Sequence, residues 1–181
     1  GVVAELIEVP KGYETAIETA LGASLQNIVC DNDESAKRAI RSLKDNKAGR
    51  MTFLPLASIR TRGKRDESLR GRPGFIGFGP EIIHYDDKYN NVTEYLLGRV
   101  VVVDNMENAV RISRQGSSMR VVTLEGEIIN AGGAITGGRY KNKTANILDR
   151  KTEIADLARQ IAESRKKRES GEKKLKDLRD A

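Results

Sequence analysis

An eleven-residue phrase occurs twice in this chain, at six identical positions, which points to one supersecondary unit used twice. Ile28-Val29-Cys30-Asp31-Asn32-Asp33-Glu34-Ser35-Ala36-Lys37-Arg38 matches Val101-Val102-Val103-Asp104-Asn105-Met106-Glu107-Asn108-Ala109-Val110-Arg111 at six of eleven positions, with a constant offset of 73. Each copy opens on a short β-branched run, which favours a strand. Each then passes through Asp-Asn, whose side chains cap helices and turn the chain. Leu21-Gly22 before the first copy is echoed by Leu97-Gly98 before the second. Arg50-Met51-Thr52-Phe53-Leu54 after the first is echoed by Arg120-Val121-Val122-Thr123-Leu124 after the second. Each half reads helix, strand, capped helix, strand, which implies two related lobes. Coincidence between two common strand–Asp–helix turns is the alternative.

The remaining sequence arranges itself around these copies. Val2–Val9 reads as a strand. Tyr13–Leu21 has apolar residues at helical spacing and stops at Gly22. Leu25–Cys30 and Met51–Leu54 read as strands, the second stopped by Pro55. Residues 57–80 contain five glycines and two prolines, the composition of a connector. Within it, Gly74-Phe75-Ile76-Gly77-Phe78-Gly79 does not follow the dinucleotide glycine order. Here it reads as following no clear strand and opening no helix, so a phosphate loop is disfavoured. From Thr144 onward there is one glycine and no proline. Ile147, Ile154, Leu157, Ile161, Leu175 and Leu178 fall on the a and d positions of one heptad frame, a narrow seam interrupted by Arg150, Ser164, Arg168 and Gly171. A coiled-coil arm is expected there, rather than an amphipathic helix packed on the globular part. Its partner is absent and neither end reads as a natural terminus, so a piece of a longer protein is expected.

Charge is unevenly distributed. Residues 1–138 carry 18 basic and 18 acidic side chains, whereas residues 139–181 carry 14 against 8 and hold the whole net charge of +6. Inside the neutral part, residues 37–72 carry 12 basic and 3 acidic side chains. Such regions suit a polyanionic partner, or form a solvated helix face and a soluble connector. The single cysteine, Cys30, excludes an intramolecular disulfide framework and fits a reducing compartment. No run approaches the ~18 apolar residues of a membrane span, and no signal peptide is evident.

The residues of a reaction centre are hard to find. There is no Gly-Lys-Ser/Thr and no Gly-x-Ser-x-Gly. His84 is the only histidine, so a histidine metal cluster is unavailable. Cys30 ends an apolar run with no histidine near it in sequence, and reads as a small core residue rather than a nucleophile. Asp66-Glu67 and Asp86-Asp87 read as solvated loop carboxylates. Asp31-Asn32 and Asp104-Asn105 read as caps rather than as ribose or metal ligands. No cofactor is expected.

Two glycine pairs, Gly132-Gly133 and Gly137-Gly138, flank Ala134-Ile135-Thr136 near the end of the second half. Glycine allows close backbone approach. An anion nest, tight β-packing within one lobe, and an edge strand that meets a second chain all remain open.

The chain resembles the hinge domain of structural maintenance of chromosomes (SMC) proteins, of the bacterial condensin type. The likeness is carried by Ala16-Ile17-Glu18 with Leu21-Gly22, Gly49-Arg50-Met51-Thr52-Phe53-Leu54-Pro55-Leu56, Tyr95-Leu96-Leu97-Gly98, Val122-Thr123-Leu124-Glu125-Gly126, and Asn130-Ala131-Gly132-Gly133 with Thr136-Gly137-Gly138. The resemblance implies an α+β fold: hinge subdomain I with the start of the connector at 1–72, subdomain II at 73–143, and the start of a coiled-coil arm at 144–181. It implies a non-catalytic homodimerisation module in a cytoplasmic, nucleoid-associated protein whose ATPase heads lie far along the arms. A second copy of this chain, DNA, and an antiparallel arm of the same full-length protein are the implied partners. Gly132, Gly133, Gly137 and Gly138 would form the dimer interface. Arg139, Lys141, Lys143, Arg150 and Lys151 would meet DNA phosphates without reading sequence. A stand-alone nucleic-acid-binding module with a partner-recruiting coil is the alternative, and a small-ligand or nucleotide-binding enzyme a third.

Overall fold

The computed structural model describes residues 1–61, 63, 65–114, 118–138 and 147–179, though not every side chain of the last stretch. The chain divides into two units, Gly1–Asn146 and Ile147–Ala181. In chain order the first contains α1 (Val3–Leu6), β1 (Ile7–Glu8), α2 (Glu14–Leu21), β2 (Ile28–Cys30), α3 (Asp33–Asp45) and β3 (Phe53–Pro55). It continues with β4 (Phe75–Phe78), α4 (Gly79–Ile82), β5 (His84–Tyr85), α5 (Asn90–Leu97), β6 (Val100–Val103), α6 (Met106–Arg114), β7 (Arg120–Thr123), β8 (Ile128–Ile129) and β9 (Ile135–Thr136). The second unit is the helix α7 (Ile147–Arg179).

The repeated phrase folds the same way twice. In each copy a strand leads through a capped helix into a parallel strand: β2–α3–β3 and β6–α6–β7. The Asp-Asn dipeptides are caps. Asn32 Oδ1 accepts the Ser35 N–H and Asn105 Oδ1 accepts the Asn108 N–H, both at 3.0 Å. The strand register corrects one detail of the echo. Ile28 pairs with Phe53, whereas its equivalent Val101 pairs with Val121. The Leu56 amide donates to Cys30 as the Leu124 amide donates to Val103. Phe53 is therefore equivalent to Val121, two residues from the position that sequence similarity suggested. A slip of two keeps every side chain on its own face of the strand, so apolar patterning cannot detect it.

Among the described residues these units sit in an α+β arrangement of three sheets: β1–β5, β2–β3, and a mixed five-stranded sheet ordered β4–β6–β7–β8–β9. In the last, β6 and β7 are parallel and the other neighbours antiparallel. All four residues of β6 are buried, as expected for a strand covered on both faces. The antiparallel pair β1–β5 joins strands from the two halves, Ile7 opposite Tyr85. Arg120 adds a second link, donating from Nη1 to the Ala20 carbonyl at the end of α2 at 2.9 Å. A positive group there complements the helix dipole.

Three local expectations fail. Val2–Val9 is not one strand: Val3–Leu6 makes a helical turn that buries Val3 and Ala4, and only Ile7–Glu8 pairs as a strand. Pro55 ends β3 from inside, because its missing N–H is not needed on the side paired with β2. The Gly74–Gly79 segment does contain a strand, β4, and does open a short helix, α4, with Pro80 in its first turn. The glycines hid an antiparallel strand in contact with β6. The acidic pairs also have structural tasks, since Asp66 and Asp86 cap short 3-10 turns. Cys30 is half-buried, not deep in the core. Burial and the charges of Asp31 and Asp33 push its thiol pKa up, which disfavours a nucleophilic thiolate.

The connector is strapped to the second half. Leu69 is buried in a cluster with Phe78, Val101, Val103, Ala109, Ile112, Met119, Val121 and Ile129. Arg65 pairs with Glu81 at 2.8 Å and also with Glu94. Arg70 pairs with Glu67 at 2.6 Å and also with Glu81. Both guanidiniums lie over the Phe78 ring, 5.5 and 4.9 Å from its centroid, a cation–π geometry. Burial alone would raise the Glu81 pKa. Hydrogen bonds from Arg70 and the Phe78 amide, with the charges of Arg70 and Arg65, outweigh it and hold the carboxyl below its ordinary value. The stability this gives is complete above the unfolded carboxyl pKa of ~4.3 and is lost as pH falls through the lower folded value. Glu81→Gln is expected to cost about 1 kcal/mol at neutral pH, as suits a partly exposed network, and to flatten the acid limb of stability. Urea denaturation across the acid range checks this; an acid limb identical to wild type would refute it.

Candidate functional site

The β8–β9 hairpin forms one end of the five-stranded sheet. Ile128 and Ile129 of β8 are buried and pair with β7 on one side and β9 on the other. Among the described residues β9 has no further strand beside it. Residues 131–138 are all exposed, and Ile135 is 57% exposed. Edge strands are normally blunted by charge, proline or a covering element. Ala131-Gly132-Gly133-Ala134-Ile135-Thr136-Gly137-Gly138 contains neither charge nor proline.

The four glycines are not equivalent. Asn130 and Ala134 close a three-residue loop through the Asn130 N–H and the Ala134 carbonyl, and Gly133 takes φ +86° in it. That is the left-handed position such hairpin loops require, so Gly133 is explained within the chain. Gly138 also has positive φ, at +118°. Gly132 does not, and a Cβ built on it would meet nothing within 4 Å. A Cβ on Gly137 would make only ordinary contact, 3.4 Å from Glu127 Cγ. Among the described residues nothing requires glycine at 132.

A second open edge was not singled out from sequence. Among the described residues β3 pairs only with β2; Pro55 removes one donor from its free side, and Met51 and Thr52 leading into it are exposed. The available signal was Met51, an apolar residue at the mouth of a strand that is left 40% exposed.

The basic residues are less fully placed. Arg150 is exposed on α7, and Lys151 lies on the same helix, although its side chain is outside the described set. Arg139, Lys141 and Lys143 fall outside the described residues. On α7 the seam residues Ile154, Leu157 and Ile161 are 67%, 49% and 54% exposed. A helix of 33 residues extends about 50 Å. Among the described residues no group of three or more His, Cys, Asp or Glu is placed to hold a metal ion.

Residues 1–113 match the family described as the SMC proteins flexible hinge domain. The chain belongs to this hinge-domain family. It is 41% identical over 183 aligned positions to the chromosome partition protein Smc of Bacillus subtilis (strain 168), covering 99% of this chain and 15% of that protein. The hinge domain described here thus spans a small part of its curated relative. The fold matches the crystal structure of an asymmetric dimer of the Geobacillus stearothermophilus SMC hinge domain, with a TM-score of 0.80 and 38% identity over 90% of this chain and 66% of that one. It also matches the Pyrococcus furiosus Smc hinge domain with an extended coiled coil, with a TM-score of 0.66 and 36% identity over 88% and 56% of the two chains.

Proposed function

We propose that this hinge domain is a homodimerisation module that joins two coiled-coil arms. The observation that carries the reading is Gly132, a glycine with ordinary φ and open space around it, in the exposed hairpin loop that leads into the uncharged edge strand β9. Such a residue is accounted for when a partner backbone comes close. The β9 edge lies in the second half and the β3 edge in the first. Docking β9 of one copy on β3 of the other, twice, gives two equal contacts and a closed twofold dimer. A heterologous contact made once would leave one edge of each kind open. The exposed seam of α7 suits an arm whose partner helix is elsewhere in a longer protein. Light scattering on this chain tests the dimer directly: a monomer mass at micromolar concentration would refute it.

The arms would lead to ATPase heads outside this segment, and the relative named for chromosome partition supports a role in organising chromosomes in the nucleoid. The hinge would bind no cofactor of its own. Among the described residues no helix is long and apolar enough to cross a membrane. Nonspecific DNA contact is assigned to the junction residues Arg139, Lys141, Lys143, Arg150 and Lys151, because the chain's charge turns from balanced to basic there. Reversing Lys141 and Lys143 is expected to lower the salt slope of DNA binding by about 2. An unchanged slope would remove these two residues from the contact.

A further inference from the structure

The connector's surplus of basic residues is not used by the dimer edges or the junction. Most of its described arginines are committed. Arg65 and Arg70 are neutralised by Glu67, Glu81 and Glu94, and Arg60 donates to the carbonyls of Ala57 and Ile59. Arg72 is different. With Pro73 it faces Arg111, Ile112 and Arg114 of α6 across an open cleft of about 340 Å³. Three arginines from two segments distant in sequence converge there, and no carboxylate lines the space. Ile112 is buried beneath them.

Their internal partners are sparse. Arg72 Nε donates only a long bond to the Ser68 carbonyl, 3.4 Å. Arg111 pairs with Glu107 on the exposed helix face at 2.6 Å. Arg114 has no hydrogen-bond or ion-pair partner among the described residues. Two arginines in the last turn of α6 complement its dipole. That accounts for Arg111 and Arg114 but not for Arg72, which comes from the connector and adds a like charge. Bringing like charges together is unfavourable unless an anion sits between them.

We propose that this cleft on the second lobe is an oxyanion site that takes a phosphate group, with a DNA backbone as its source. Planar guanidiniums pair with phosphate oxygens in a bidentate manner, and the cleft has three of them over an apolar floor. The site uses none of the junction residues, so it stands or falls apart from the junction contact. It would give the hinge a second place to hold the same polyanion without reading its sequence.

The test follows the arginine Nε–Hε signals of the isotope-labelled chain by NMR during titration with a short DNA duplex and, separately, with inorganic pyrophosphate. Movement of the Arg72 and Arg114 signals with the duplex is expected, and it should persist when Arg150 and Lys151 are reversed to Glu. Replacing Arg72 and Arg114 together by Glu is expected to weaken duplex binding by roughly tenfold at low salt and to lower the salt slope by about 2. Arg72→Lys with Arg114→Lys should keep the slope and lose part of the affinity, and it replaces the Glu pair if that variant does not fold. Movement with pyrophosphate alone would keep the oxyanion site but make a free phosphate compound its ligand. No movement with either probe, loss of movement in the junction variant, or unchanged binding by the Glu pair would overturn the proposal.

Discussion

Gly132→Asp is expected to convert the dimer to monomer while leaving the fold intact. Gly132 lies on an exposed hairpin loop with ordinary φ, and a Cβ there meets nothing within 4 Å. An exposed substitution without strain changes stability by about 0.5 kcal/mol or less. At the interface the outcome is different. The new carboxylate would be desolvated against a partner backbone, and a buried charge left without a partner costs about 3 to 5 kcal/mol. That is a loss of roughly a thousandfold for each contact, and the twofold dimer makes the contact twice. Light scattering should show half the wild-type mass, with unchanged circular dichroism and an unchanged monomer unfolding transition. Gly132→Ala adds only a methyl group and should weaken association less. Gly133→Asp is a poorer test, because at φ +86° it adds about 1 to 2 kcal/mol of backbone strain to any interface effect. A folded Gly132→Asp chain that stays dimeric would show that the glycine edge is not the contact.

Much of this architecture was legible because the chain writes its main unit twice. Val29, Asp31, Asn32, Glu34, Ala36 and Arg38 recur in the second copy, and each recurrence has a local cause: a strand, a cap, a helix face. What was not legible depends on partners far away in sequence. The two-residue register offset at β3 left every side chain on the same face, so no pattern could show it. β4 was hidden by Gly77 within it and Gly79 just after it; Gly77 weakens a strand in isolation but is tolerated beside the fully buried β6. Val3–Leu6 has strand-like composition and becomes a helical turn because Val3 and Ala4 are drawn into the core. At the site, sequence located the glycine pairs but could not separate them. Only backbone geometry shows that Gly133 is required by the hairpin and Gly132 is not. The connector's arginines looked alike in sequence, and their division into paired and unpaired sets depends on Glu81 and Glu94, which come from other elements.

Phe78→Ala is expected to cause the largest loss of folding stability, and to do so without touching either open edge. The Phe78 ring is fully buried against Val101, Val103 and Leu69. It meets Phe75 edge-on at 5.2 Å and carries the guanidiniums of Arg65 and Arg70 on its face. Removing it takes away a large apolar side chain and leaves a cavity, which costs about 3 to 5 kcal/mol. Against a total stability of about 5 to 15 kcal/mol, that lowers the melting temperature by roughly 10 °C. Phe78→Leu refills much of the space but has no aromatic face, so the difference between the two variants isolates the ring from its volume. If the arginine contacts matter, Phe78→Leu should also speed amide exchange in the 3-10 turn Glu67–Leu69, which the strap holds in place. Denaturation must be compared at one protein concentration, since a dimer's apparent stability rises with concentration. Where the chain remains folded, Phe78→Ala should keep the wild-type mass, because β9 and β3 are unchanged. Gly132→Asp should do the reverse, lowering mass and sparing the monomer's stability. If Phe78→Ala instead produced a well-folded monomer, the connector strap would have to shape the docking edge, and the β9–β3 contact could no longer be treated as independent of it.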